Sequence, residues 1–350
     1  THLAVKKAVC LKFGTQMGGY DMHNTQPYQQ GVFPLRLHYF LLVLLLIFAV
    51  ETLTCAQHQG RPPRMRKHKE IKAQPIQLVL ATEKLSAENH CSDQTVDNRR
   101  VLESNGIPAH LVGTFPNFGN PHTITEQNYD FNIPAYPKSA AVITSVHEDR
   151  TTTKHRGPPN RPFGIALNGV LFDPGTAEFW NGDRDAGWNY EALGGAVGLG
   201  LDENHAHVQP SGAYHYHGLP TYLLVELGID KNSHSPQVGW AADGFPIYAL
   251  YGYENPKNPQ SKIIELTSSY RLKTGKRPEG NDGPGGKYDG AFLYDYEFVK
   301  GSGTLDECNG RFCITPEFPD GTYAYFLTKI WPVVPRKFRG TATQLRDLGR

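Results

Sequence analysis

An excess of charge of either sign is missing from this chain. Its 350 residues carry 35 Lys and Arg against 34 Asp and Glu, a net charge of +1, so no basic surface competes for phosphate and nothing argues for nucleic acid as a partner. Cysteine is scarce, five in all without a Cys-x-x-Cys pair, which speaks against thiolates on a metal. There is no glycine-rich phosphate loop, no nucleophile elbow, and no serine or cysteine set beside a histidine in a recognisable frame. Hydrolysis or redox chemistry would therefore have to pass through a metal. Long apolar runs are missing too: the longest, Tyr39 to Val50, has 12 residues, whereas a bilayer span needs about 20. No obligate protein partner is evident.

That short run has the layout of a signal peptide over residues 32–56. Arg36 and His38 precede it, and Thr54-Cys-Ala56 offers small residues for cleavage. The expectation is an exported protein, periplasmic, cell-surface or secreted, whose mature chain starts near Gln57. Left uncleaved, the same segment would be a membrane anchor. Residues 1–31 have no hydrophobic period and read as an upstream or disordered extension. Residues 57–103 read as a basic arm and linker, with Arg61, Arg64, Arg66, Lys67, Lys69 and Lys72, a strand near Ile76–Ala81 and a short helix after it. Contact of that arm with a cell-surface polymer stays open. Cleavage would leave Cys91, Cys308 and Cys313 in an oxidising compartment, where a Cys308–Cys313 disulfide is the expected pairing.

What is abundant is 36 glycines, 26 prolines, 18 tyrosines and 17 phenylalanines, a composition for short strands joined by tight turns. Residues 104–340 are accordingly expected to form a mainly β, sandwich-like domain with long Gly/Pro-rich loops, followed by a tail over 341–350. The chemistry concentrates in Asn204-His-Ala-His-Val-Gln-Pro-Ser-Gly-Ala-Tyr-His-Tyr-His217, which holds four of the 15 histidines. The alternation of His205-Ala-His207 and of Tyr214-His-Tyr-His217 has the period of strands, and Gln209-Pro-Ser-Gly212 has turn residues.

Two registers compete for that hairpin. A four-residue loop pairs Val208 with Ala213 and sets His205 and His207 opposite tyrosines. A three-residue loop, Pro210-Ser-Gly212, pairs Gln209 with Ala213, His207 with His215 and His205 with His217. The second uses both proline and glycine for their backbone angles, and places all four imidazoles on one face, with Ala206, Val208, Tyr214 and Tyr216 on the core side. Facing His-x-His pairs make a nitrogen-rich cluster suited to a transition metal ion, copper or zinc first. The plainer alternative is histidines hydrogen-bonded on a half-exposed sheet face.

Internal similarity points to two related halves. Gly164-Ile-Ala-Leu-Asn-Gly-Val170 resembles Gly239-Trp-Ala-Ala-Asp-Gly-Phe245, and Pro210-Ser-Gly-Ala-Tyr-His-Tyr-His217 aligns on Pro319-Asp-Gly-Thr-Tyr-Ala-Tyr-Phe326. In that alignment Ile314, Pro316, Ala324 and Phe326 take the places of the four histidines. Around the site, Asp202, Glu203 and Asp243 are candidates to orient imidazole N–H groups, with turn chemistry as the alternative. Trp180, Trp188 and Tyr190 are candidates for a rim that stacks on sugar or polymer, with core packing as theirs.

Asn204-His-Ala-His-Val-Gln-Pro210 leading into Gly212-Ala-Tyr-His-Tyr-His-Gly218 resembles the YHYH-domain family of bacterial exported proteins. Ser104-Asn-Gly-Ile-Pro108, Gly113-Thr-Phe-Pro-Asn117, Asp243-Gly-Phe-Pro-Ile-Tyr248, Leu305-Asp-Glu-Cys-Asn-Gly310 and Asp320-Gly-Thr-Tyr-Ala-Tyr325 are similar to other blocks of it. The resemblance implies a domain from about Ser104 to Gly340 and export; it transfers no reaction. Three functional classes stay open: a metal-binding protein, a non-catalytic surface or matrix module for polymer or carbohydrate, and a metal-dependent hydrolase or oxidoreductase.

Overall fold

Period-2 segments broken by glycine, proline and asparagine cannot sustain helices, and the chain folds as many short strands. In the computed structural model, which describes residues 70–147 and 161–345, one sheet of eight strands organises the rest. Within this sheet the strands are β1 (Gly164–Ala166), β2 (Leu171–Phe172), β3 (Ala206–Val208), β4 (Tyr214–Tyr216), β5 (Gly239–Ala241), β6 (Pro246–Ala249), β7 (Gly310–Cys313) and β8 (Thr322–Leu327). They lie in the order β7-β8-β6-β5-β1-β2-β4-β3. Among the described residues no sheet closes into a barrel, and the protein is mainly β. The expected signal segment, and most of the basic arm, lie outside the described residues.

The two related halves meet at the centre of this sheet. There β1 and β5 pair antiparallel, Ile165 opposite Trp240. On each side the pattern then repeats: β1-β2 and β5-β6 are antiparallel, β2-β4 and β6-β8 parallel, β4-β3 and β8-β7 antiparallel. Equivalent side chains make equivalent bonds. Tyr214 Oη donates to Asp202 (2.7 Å) as Tyr323 Oη does to Asp306 (2.9 Å), and Tyr216 accepts from Asn168 (2.9 Å) where Tyr325 donates to Asp243 (2.6 Å). Each tyrosine buries its ring in the core and finds its hydroxyl a fixed partner.

This register corrects the expected correspondence. Asp306-Glu-Cys-Asn-Gly-Arg311 follows Asp202-Glu-Asn-His-Ala-His207, so Asn309 takes the place of His205 and Arg311 that of His207. The β7–β8 pairing sets Arg311 opposite Ala324 as His207 is set opposite His215. Ile314 and Pro316 are not the counterparts, because the loop joining β7 to β8 is longer than the one joining β3 to β4.

One face of the sheet carries Tyr214, Tyr216, Tyr323, Tyr325 and Cys308 into the largest apolar cluster, with Leu102, Phe131 and Ile133 from a three-stranded sheet. Two strands of that sheet, Cys91–Val96 and Arg99–Ser104, form a hairpin where a short helix was expected; the turn at Asp97-Asn98, both with positive φ, closes it. Phe338 stacks on Phe163 in the same cluster, 5.2 Å between centroids. This second layer makes the domain sandwich-like.

The expected disulfide is not there. Cys308 and Cys313 are both free and buried, and they belong to different clusters: Cys308 to the tyrosine face, Cys313 to the opposite face with Tyr248, Ala324 and Phe326. The left-handed Asn309 (φ 57) and the strand after it separate the two thiols across the sheet. Burial pushes the Cys308 thiol up to about 12.

Candidate metal centre

The hairpin closes in the three-residue register. Gln209 N–H donates to the Ala213 carbonyl (2.9 Å), Gly212 N–H to Gln209 (2.8 Å), and Gly212 takes φ 85. His207 therefore faces His215, Val208 faces Tyr214 and Ala206 faces Tyr216. The tyrosines turn to the core and the histidines to the other face.

Three of the four histidines come together. His207, His215 and His217 each place a ring nitrogen within 4.8 Å of the others, and their ring centroids are 4.7 Å apart in all three pairings. The fourth does not join them. His205 sits in a left-handed conformation (φ 51), imposed by the turn in which its N–H donates to the Asp202 carbonyl (2.8 Å) while Asp202 N–H donates to Ala206 (2.9 Å). A left-handed residue breaks the strand's alternation, so the His205 ring turns aside and its Nδ1–H donates to the Leu219 carbonyl (2.9 Å). Its backbone still pairs as expected, accepting from His217 N–H (2.8 Å).

The surroundings fix which ring nitrogens carry the hydrogen. A carbonyl only accepts, so Nδ1 carries the hydrogen in His207, which donates to Leu199 (2.9 Å), and in His215, which donates to Ala213 (3.1 Å). In the neutral imidazole Nε2 is then the lone-pair nitrogen, the usual arrangement of a metal-ligating histidine. His217 is 1 % exposed, and neither of its nitrogens makes a hydrogen bond of ordinary geometry. Burial holds His215 and His217 well below the ordinary imidazole value, and neighbouring imidazoles add to the shift, with Arg336 also acting on His217; the Ala213 and Pro174 carbonyls offset part of it. Both shifts favour the neutral ring, the form that ligates.

The three acidic candidates serve the frame. Asp202 accepts from Gly113 N–H (2.9 Å), Asn204 N–H (2.9 Å) and Tyr214 Oη (2.7 Å); Glu203 accepts from Ala81 N–H (2.9 Å); Asp243 accepts from Tyr325 Oη (2.6 Å) and Gly340 N–H (2.7 Å). Asp202 and Asp243 reach the tyrosine face, opposite the imidazoles. His110 also lies there, bonded to Tyr216 Oη (2.6 Å). Trp188 and Tyr190 form no rim: they are buried on Phe292 in a core of their own, with Trp180 packed against it.

Two groups near the centre escaped sequence reading. Asp173, at the end of β2, is buried; its N–H donates to the Tyr216 carbonyl (2.9 Å), which sets it beside His217, and its carboxylate accepts from Gln209 Nε2 (2.9 Å). Arg336 is buried against Glu191 through two bonds of 2.9 and 3.0 Å and donates to the Pro174 carbonyl (2.6 Å). The signal for Asp173 was its place one step beyond an apolar strand pair. For Arg336, 145 residues from Glu191, there was none.

With this geometry in hand, the comparisons are informative about family and silent about chemistry. The YHYH protein family model matches residues 130–340. This chain belongs to the YHYH family. No curated protein and no solved structure matches it. The matched region contains the whole eight-stranded sheet and all three clustered histidines, so the family's extent and the pseudo-symmetric unit coincide.

Proposed function

We propose that this YHYH protein binds one transition metal ion, zinc or copper, through His207, His215 and His217. The observation that carries the reading is His217: a buried imidazole with no hydrogen bond of ordinary geometry at either nitrogen and the Pro174 carbonyl close to its ring, enclosed by two more imidazoles whose Nδ1 atoms are tied to carbonyls. Burying unsatisfied polar atoms costs about 1–3 kcal/mol each, and a coordinate bond would repay that cost. Among the described residues the group contains neither thiolate nor carboxylate, which suits copper or zinc better than magnesium or calcium.

The second half supports this reading. At the counterpart of His207 stands Arg311, whose guanidinium lies 5.6 Å from the ring centroid of Phe326, the counterpart of His217. A cation thus stands where the first half has His207, and the imidazole beside it, His234, packs on Phe326 (6.2 Å between centroids) instead of meeting other histidines. Three protein ligands leave a coordination position for water or a substrate, as in catalytic zinc centres. The metal would supply Lewis acidity or a bound hydroxide there; Leu199 and Ala213 hold the ligating tautomers, and the sheet holds the rings.

Elemental analysis of the purified chain is expected to find about one zinc or copper per molecule, and His205→Asn to retain it. Equal metal content in His207→Ala and the parent chain would remove the proposal. The apolar run at residues 39–50 further supports export. Mass spectrometry of the mature protein is expected to find its N-terminus near Gln57; residues 32–56 in the mature, membrane-bound form would establish an anchor instead.

A further inference from the structure

The left-handed turn that removes His205 from the metal centre puts it in the wall of a separate cavity. That cavity has a volume of about 250 Å³ and is bordered by His205, Glu191, Leu219, Tyr296, Lys329 and Trp331. We infer that it binds a small ring compound carrying a carboxylate and a free hydroxyl, a phenolic or sugar acid.

Each wall contributes a separate reason. Trp331 and Tyr296 stack in parallel, 4.2 Å between centroids with planes 3° apart, and the indole N–H is tied down by Glu191 (2.8 Å). The pair is thus a rigid aromatic surface of the kind on which planar rings and sugar faces pack. Leu193, Leu219 and Val333 extend the apolar lining. Glu191 does not repel an acid, because Arg336 neutralises it through both carboxylate oxygens. Lys329 at the mouth is half exposed; it is engaged by Glu265 and Tyr251, and an ammonium has three donors, so one can still meet a carboxylate. His205 gives its Nδ1–H to Leu219, which makes Nε2 an acceptor; the matching group on a ligand is a hydroxyl.

The backbone fixes where the ring points. The counterpart of His205 is Asn309, likewise left-handed (φ 57), and asparagine and histidine are both among the residues enriched in this conformation, so the turn belongs to the fold of both halves and aims the His205 ring at the cavity. The cavity, which has no element of the proposed metal set in its lining, stands or falls apart from that proposal.

The test is calorimetric titration of the full-length chain with 4-hydroxybenzoate and, separately, galacturonate, each beside its analogue lacking the relevant hydroxyl. Binding of at least one acid is expected, weakened about five- to tenfold in His205→Asn, as for one lost hydrogen bond, and by a similar factor in the hydroxyl-free analogue. His205→Asn should keep the fold, as Asn309 does in the other half, and its metal content should equal that of the parent. Preference for 4-hydroxybenzoate would assign a π-stacked aromatic, preference for galacturonate a sugar acid. Failure of both acids to bind, or equal affinity with and without the hydroxyl, would overturn the inference even if His205→Asn proved unfolded.

Discussion

Replacing His217 by phenylalanine is expected to strip the protein of its metal while leaving the sheet folded. The second half supplies the precedent, since Phe326 occupies the equivalent position, fully buried, in a strand of the same pairing. Structural zinc sites yield about 10–16 kcal/mol from four ligands, so losing one ligand is worth roughly 3 kcal/mol, more than a hundredfold in affinity. The metal-free form should also respond differently to acid. His217 has a depressed pKa in the folded state, so the unfolded chain takes up its proton first, and stability falls as pH drops below about 6.5. Phenylalanine removes that one proton, reducing the slope by up to about 1.4 kcal/mol per pH unit. Chemical denaturation of metal-free protein at pH 5 and pH 7 measures this, and unchanged metal retention with an unchanged slope would contradict both roles given to His217.

Sequence reading went furthest where the signal was local. The three-residue loop followed from Pro210 and Gly212 alone, and with it the facing of His207 and His215 and the burial of both tyrosines. The related halves were legible from repeated turns, but the counterparts of the first two histidines were not, because a longer β7–β8 loop shifts the earlier strand. Strand alternation predicted His205 on the metal face; a single left-handed residue overrode it, set by the Asp202 turn rather than by anything in the His-x-His pattern. Spacing likewise suggested that Cys308 and Cys313 could pair, whereas the sheet sends them to opposite faces. Arg336 reaches the centre through long-range ion pairing, which no local pattern encodes, and the apolar pair before Asp173 marks a strand end without saying which strand lies beside it.

Asp202→Ala is expected to cost about 3–5 kcal/mol of stability, the range for breaking a buried charged network. Asp202 is fully buried, and one carboxylate oxygen accepts from both Tyr214 Oη (2.7 Å) and Gly113 N–H (2.9 Å) while the other accepts from Asn204 N–H (2.9 Å). Alanine removes the acceptor of all three donors and of a fourth, longer contact from Ala206 N–H (3.3 Å); three of the four are backbone groups, and those of Asn204 and Ala206 hold the turn into β3. The Tyr214 hydroxyl has no water to turn to, being on a ring 1 % exposed. Asp202→Asn keeps one acceptor oxygen and should lose less. The pseudo-symmetric Asp306→Ala should behave like Asp202→Ala, because Asp306 accepts from Tyr323 Oη (2.9 Å), Cys308 N–H (2.9 Å) and Gly310 N–H (3.1 Å). Urea unfolding of the three variants gives the comparison. Had Asp202 instead oriented an imidazole, its removal would weaken metal binding at little cost to the fold, and Asp306→Ala would have no such counterpart; a loss below about 1 kcal/mol in Asp202→Ala, the level of a single net hydrogen bond, would favour that reading over the frame role derived from the tyrosine face.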